Sequence, residues 1–236
     1  MRLLILQHTQ GEHPAAFTGQ IALAGDTATT VHLYKGEVIP DLALFDAMLV
    51  LGGPMDVWEE DAHPWLRAEK RAIANWVSAK RPYLGVCLGH QLLVEAMGGH
   101  CAKMAVPEVG VFPVDLTDAG RAAPIFDGLP GPLPVMQWHG VEAQVLPPDT
   151  TLLASNAACH AQAIRVGPRS WGVQFHPEID EGLLGFWMGD PANRAAAIEW
   201  LGSTEAADRF AADSVAHVPM AARQTAALYA GLRAAV

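Results

Sequence analysis

Between Pro82 and Met97 an apolar run passes into a helical pattern across the five residues Gly85-Val86-Cys87-Leu88-Gly89. A potential nucleophile with a glycine two residues to either side, an apolar strand before it and a helix after it, has the layout of a tight strand-to-helix elbow. This constrains the fold strongly. The strand must run through the interior and reverse into a helix within about one residue, and a side chain at either glycine would crowd the turn. Cys87 then sits at a strained position, with the helix that starts near Leu88 pointing its N-terminus at the sulfur. The helix dipole favours the charged, attacking form of a thiol there. The backbone N–H of Leu88 faces the oxyanion that forms when Cys87 attacks a carbonyl. The competing reading is a buried structural cysteine at a strand end, and the paired glycines weigh against it. Cys101 and Cys159 lack such a context and are assigned to the core.

The rest of the first hundred residues alternates in the same way. Leu3–Leu6 reads as a strand covered on both faces, His13–Leu23 as a helix stopped by Gly25, and Thr29–Tyr34 as a second strand. Asp46–Leu51 is a third strand that ends at Gly52-Gly53-Pro54. Pro64–Lys80 carries apolar residues at helical spacing, Pro82–Val86 is a fourth strand, and Leu88–Met97 is a helix closed by Gly98-Gly99. Strands joined by crossover helices predict an α/β fold, a doubly wound and mostly parallel sheet with helices on both faces. From Val109 to Phe175 prolines and short β-rich runs predict antiparallel strands with loops, returning to a core strand at Trp171–Phe175. Beyond Pro191 the chain is alanine-rich and helical. Helices over Ala195–Leu201 and Glu205–Arg233, with an interruption at Pro219, give two parts: residues 1–190 and a helical C-terminal extension, 191–236.

Composition removes several function classes. The formal charge of −10 disfavours nucleic acid and anionic membrane surfaces as partners. No apolar stretch approaches the roughly 18 residues that span a membrane, and Met1–Leu6 is too short for a signal peptide core. Three cysteines without a CxxC pair suggest neither a disulfide framework nor a zinc site, and they fit a reducing cytoplasm. With no HExxH either, no metal and no cofactor are expected.

A cysteine nucleophile needs a base, which can lie far away in sequence. Of ten histidines, His176 stands out in Gly172-Val173-Gln174-Phe175-His176-Pro177-Glu178. It ends an apolar strand, where sites collect in an open parallel sheet. Glu178, two residues on, lies on the same side of an extended chain, and Pro177 stiffens the segment. A carboxylate there can hold one ring nitrogen and leave the other to face Cys87; a solvated His-Pro-Glu turn is the alternative. His90 falls on the helix after the elbow and is expected to pack or cap locally. Gly52 and Gly53 let the backbone approach a ligand, and an N–H of Gly53 could pair with that of Leu88. A phosphate cradle is disfavoured, since neither Gly-Lys-Ser/Thr nor GxGxxG is present here; a plain turn stays open.

Together, Leu51-Gly52-Gly53-Pro54, Gly85-Val86-Cys87-Leu88-Gly89-His90-Gln91 and Gly172-Val173-Gln174-Phe175-His176-Pro177-Glu178 resemble, in order, the class I or triad glutamine amidotransferases. Trp138-His139-Gly140 is similar to that family's glutamine-facing loop, and the match spans roughly Leu3 to Phe186. The resemblance implies a flavodoxin-like amidotransferase fold. It implies that Cys87 attacks the side-chain amide of L-glutamine, His176 protonates the departing ammonia, Glu178 orients His176, and Gly53 and Leu88 hold the oxyanion. Gly52, Gln91 and the main chain of Trp138, Gly140 and Val141 would contact the substrate. The order and the Gln-Trp-His-Gly loop look most like the glutaminase part of GMP synthase and its stand-alone relatives. That enzyme continues into a synthetase domain with a Ser-Gly-Gly phosphate loop, and nothing after Pro191 resembles one.

The expected function is therefore release of ammonia from glutamine, either for a separate synthetase subunit or by a free-standing amidase. A γ-glutamyl peptide or amide hydrolase with the same triad is the alternative, and a non-catalytic regulatory module a third reading. In the extension, Phe210, Val215, Val218, Leu228, Tyr229 and Leu232 form an apolar stripe. The stripe either packs on the core or makes a dimer or partner contact, so a homo-oligomer stays open.

Overall fold

The computed structural model describes all 236 residues. The chain folds around one sheet of nine strands in the order β2-β1-β3-β4-β9-β8-β7-β5-β6. Its first half is parallel: β1 (Arg2–Gln7), β2 (Thr27–His32), β3 (Ala47–Val50), β4 (Tyr83–Val86) and β9 (Ser170–Val173). Its second half is antiparallel: β8 (Ala163–Val166), β7 (Thr150–Ser155), β5 (His100–Leu116) and β6 (Leu133–Val145). The helices are α1 (Ala16–Leu23), α2 (Trp65–Ser78), α3 (Leu88–Ala96), a single turn α4 (Asp118–Arg121), α5 (Glu181–Gly189), α6 (Pro191–Leu201) and α7 (Thr204–Ala234).

The pleat sorts the apolar residues of the parallel strands onto two faces. Leu3 and Ile5 of β1 join Ala47 and Leu49 of β3, Phe17 and Ile21 of α1, and Leu228, Tyr229 and Leu232 of α7 in one core. Leu4 and Leu6 join Met48 and Val50 with Leu66, Ile73 and Trp76 of α2 and Leu92 and Leu93 of α3 in the other. Burial on both faces explains why β1 and β3 read as continuous apolar runs, without alternation. Each fully buried leucine contributes roughly 1.5–3 kcal/mol relative to exposure, so these four-to-six-residue strands are held by their covering helices.

Several element bounds shift from the sequence expectation, and three departures have a clear physical reason. The second strand starts two residues earlier than the predicted Thr29 and ends at His32, because Leu33–Lys35 closes into a 3-10 turn against Gly36 at φ 81°. Helix α5, which the sequence pattern did not reveal, starts at Asp180, whose side chain accepts the N–H of Leu183. The predicted interruption at Pro219 does not occur: α7 runs unbroken for 31 residues. Proline cannot donate to the carbonyl of Val215 four residues earlier. Both residues lie on the exposed face, so that carbonyl can turn to water.

Candidate active site

β1, β3, β4 and β9 are neighbours in the sheet, and the loops leaving their carboxyl ends carry His8 and Glu12, Gly52 and Gly53, Cys87, and His176 with Glu178. In open α/β sheets this edge is where ligands bind. Topology thus gathers residues that are up to 170 positions apart in sequence.

Cys87 occupies the elbow at φ 50° and ψ −103°, the strained position that the glycines predict. The reason for those glycines is measurable. A Cβ on Gly89 would stand 2.2 Å from the Val50 carbonyl oxygen, and one on Gly85 2.4 Å from the Gly89 carbonyl oxygen. The elbow is pinned by Cys87 N–H to Val173 O at 2.9 Å and by Gly89 N–H to Leu51 O at 3.2 Å. The N–H groups of Gly53 and Leu88 have no acceptor within the protein, backbone or side chain. Two free donors flanking a cysteine at a helix N-terminus suit a developing oxyanion.

His176 and Glu178 meet as expected: the ring Nδ1 lies 2.7 Å from Glu178 Oε1, with both residues buried. Burial alone pushes the imidazole toward its neutral form. The Glu178 carboxylate and the neighbouring Cys87 sulfur more than offset this and leave its pKa well raised. The ring meets Trp187 of α5 edge-on, with centroids 5.1 Å apart, and Trp187 in turn meets Trp138 at 5.6 Å.

Gln91 sits on α3 behind the sulfur, its Nε2 3.4 Å from Val141 O and 3.4 Å from Gln174 Oε1. Gln174 Nε2 approaches Cys87 Sγ at 3.7 Å. His139 packs inward, with Nδ1 3.0 Å from Val141 O and Nε2 3.2 Å from Glu108. Glu108 also accepts from Asn156 and Gln162, a buried network that fixes the Trp138–Val141 strand. Opposite Gly140 the register of β5 slips between Lys103 and Glu108, and the bulged Met104 and Pro107 roof the site. His90 packs away from the sulfur against Gly172, and burial holds its pKa down at about 4.

The result is a cavity of about 450 Å³. Its wall contains Cys87, His176, Gly53, Gln91, Trp138, Gly140 and Val141, so these predicted residues come together. Gly52 lies behind the wall, beneath Glu12 and His176. Asn193, Ala196 and Trp200 of α6 close one side, so the C-terminal helices reach the site.

Two residues escaped the sequence reading. Glu12 lines the cavity with one carboxylate oxygen sealed from solvent and unpartnered. Burial pushes its carboxyl up to about 7, helped by Glu178 and opposed by His176 and His8. His8 is fully buried, bonded to Gly52 and Glu69. Their only sequence signal was position, just past the end of a buried strand at the edge where sites collect. Glu12, His176 and Glu178 hold three potential ligand atoms within 4.8 Å of one another, but a metal there would have to displace the His176–Glu178 bond.

Comparison with known proteins gives the family. The family "Glutamine amidotransferase class-I" matches residues 25–185. The glutamine amidotransferase-like protein YfeJ of Salmonella typhimurium is 33% identical over 192 residues, 78% of this chain and 80% of that protein. A glutamine-hydrolyzing GMP synthase subunit from Saccharolobus solfataricus is 33% identical over 150 residues, 61% of this chain and 76% of that one. Of longer GMP synthases that it also matches, the chain spans 26–28% of the length. The crystal structure of a glutamine amido transferase from Methylobacillus flagellatus superposes with a TM-score of 0.88 at 21% identity, over 100% of this chain and 95% of that one, a likeness of fold. With more than half its length matched by the family, the chain belongs to the class I glutamine amidotransferases.

Proposed function

We propose that the chain hydrolyses the γ-amide of L-glutamine through a Cys87 thioester. The observation that carries this is the joint placement around one cavity of a strained cysteine, a histidine held by a carboxylate at 2.7 Å and the free N–H of Gly53, with a second free N–H on Leu88, the residue that follows the cysteine. The Cys87 thiolate adds to the amide carbon, and the oxyanion takes the N–H groups of Gly53 and Leu88. The His176 imidazolium gives its proton to the nitrogen, the C–N bond breaks and ammonia leaves. Water, deprotonated by neutral His176, then attacks the thioester and releases glutamate and the Cys87 thiolate. Glu178 keeps the ring in one tautomer throughout.

The relative named as a GMP synthase subunit supports a reading in which the ammonia passes to a separate synthetase chain. The cavity supports a second reading. At about 450 Å³, with Trp138, Trp187, Trp200, Met55 and Met104 in its wall, it has room for more than glutamine, which suits a γ-glutamyl peptide or amide. The test is release of glutamate and ammonia from L-glutamine and from γ-glutamyl peptides and amines, with Cys87→Ala as control. Cys87-dependent turnover led by glutamine supports the first reading, and turnover led by a γ-glutamyl peptide or amine the second. If no substrate is turned over, alone or with the proteins that co-purify from its own cells, hydrolysis is the wrong reading.

A further inference from the structure

Another histidine–carboxylate pair lies beneath the site and takes no part in the steps above. His8, just past the end of β1, has Nε2 2.9 Å from Glu69 Oε1 on α2 and Nδ1 2.8 Å from the carbonyl oxygen of Gly52. Both side chains are fully enclosed. Each ring nitrogen faces an oxygen acceptor, and satisfying both takes two N–H groups, the imidazolium form. A buried ion pair with nothing to transfer is weak as a stabilising device, since replacing such a pair by apolar residues is often neutral. What distinguishes this one is its third partner.

The Gly52 carbonyl and the Gly53 N–H belong to the same peptide unit. That unit is planar and trans, so its C=O and N–H point in opposite directions. Gripping the oxygen from beneath therefore aims the Gly53 N–H the other way, toward the cavity that Gly53 lines. Gly52 and Gly53 carry no side chain to hinder rotation of this peptide, so without a grip it could turn its oxygen inward and remove the donor. Glu69 anchors the grip to α2, whose Leu66, Ile73 and Trp76 are buried in the core.

We propose that His8 is a positioning residue of the oxyanion hole: with Glu69 behind it, the ring holds the Gly52–Gly53 peptide with its N–H toward Cys87. The proposal rests on the oxyanion role given to Gly53 and deepens it. It also implies a site whose oxyanion donor is set within the chain, before any partner binds.

Two reactions of Cys87 separate this role from a structural one. Acyl transfer from p-nitrophenyl acetate adds sulfur to a carbonyl, builds an oxyanion and expels p-nitrophenolate, so it needs the donors. Alkylation by iodoacetamide displaces iodide at a saturated carbon and builds none. Cys101 and Cys159 are buried, with their thiols pushed far up (Cys159 to about 12), so both reagents report on Cys87. The double variant His8→Leu/Glu69→Leu removes the grip without leaving a lone buried charge. Glu69→Gln keeps the grip, because the carboxamide can donate to Nε2 while Nδ1–H still bonds Gly52.

The expected result is acylation slowed tenfold or more in the double variant, alkylation within about twofold of wild type, and both rates near wild type in Glu69→Gln. Equal rates of acylation in all three proteins would overturn the proposal, as would parallel loss of acylation and alkylation. Should the double variant not fold, His8→Gln, which shortens the reach to Gly52, is read by the same ratio. Neither reagent resembles glutamine, so a chain inert to glutamine leaves this test standing. Wild-type acylation that is indifferent to Cys87→Ala would instead defeat the catalytic reading itself.

Discussion

His176 and His8 are a matched pair up to their last contact. Each is buried, at 2% and 1% exposure, and each holds a glutamate, at 2.7 and 2.9 Å. In each, burial favours the neutral ring and the nearby carboxylate overrides it, so both pKa values are raised. They differ in the second ring nitrogen. In His8 it meets a carbonyl oxygen, which can only accept, so the proton has nowhere to go. In His176 it is left for the Cys87 sulfur, which can give and take a proton. His90 completes the series: buried without a carboxylate, it is held neutral, with its pKa down at about 4. Burial and a carboxylate act alike on His176 and His8, and on the proposed reading the remaining contact separates a proton carrier from a scaffold.

The sharpest way to break the comparison is to delete each ring. His176→Ala should reduce glutamate release roughly 10³- to 10⁶-fold, the range for the base of a nucleophile–base pair. The double variant His8→Leu/Glu69→Leu should reduce it roughly 10- to 100-fold, the effect of a displaced peptide and not of a missing proton carrier. Equal losses in steady-state kinetics would mean that the second nitrogen's partner does not separate the two roles.

Stability should order the variants differently. His8→Ala alone leaves the Glu69 carboxylate buried without its partner. The expected cost is about 3–5 kcal/mol in urea unfolding, most of it recovered in the double variant, where no lone charge remains. If the single and double variants unfold at the same urea concentration, the pair is not behaving as a buried ion pair.

Much of the fold was legible because the parallel half is local in its logic: apolar run, turn signal, amphipathic helix. The elbow was the clearest case, since Gly85 and Gly89 are required by contacts with backbone only a few residues or one strand away. The antiparallel half was read as antiparallel strands with loops but without their bounds or partners, because the pairing of β5 with β6 and β7 depends on residues 19 to 45 positions distant. Pro219 misled because its cost depends on which way the helix faces, which the sequence alone does not state. In the site, the meeting of His176 with Glu178 on the cavity that Cys87 lines was legible from motif and spacing. His8 and Glu69 were not, since a histidine and a glutamate 61 positions apart carry no mutual signal until β1 and α2 pack. Glu12 escaped for the same reason.

The unpaired histidine offers a test by pH. His90 has its folded pKa lowered to about 4 from an ordinary 6.5, so its contribution is fully present above pH 6.5 and lost as pH falls toward 4. A shift of that size corresponds to about 3 kcal/mol. His90→Gln should remove that rise in stability between about pH 4 and 6.5, so that stability in the variant lies higher at pH 4 relative to pH 6.5 than in the wild type, measured as urea midpoints across that range. A pH dependence unchanged in the variant would mean that the buried ring is not the group that must charge.

Glu12 sharpens the comparison further, because it is the carboxyl that both paired histidines influence. Its pKa is raised to about 7 by burial first, with Glu178 adding to the rise and the His176 and His8 charges opposing it. The sign is the reverse of His90's. A carboxyl raised on folding contributes stability that is complete below its unfolded value near 4.5 and is lost as pH climbs through 7. Allowing for its partial exposure, the loss should be about 2 kcal/mol. The slopes from Glu12 and His90 run in opposite directions over nearly the same range and largely cancel in the wild type. Glu12→Gln should therefore unmask a rise in stability from pH 4.5 to 7, and His90→Gln a fall. Removing the His8 cation should raise the Glu12 pKa and begin the Glu12 loss at higher pH. If the His8→Leu/Glu69→Leu variant leaves the Glu12 titration where it was, followed by its carboxyl carbon in NMR, then His8 carries no charge and the two histidines are not the matched pair their contacts describe.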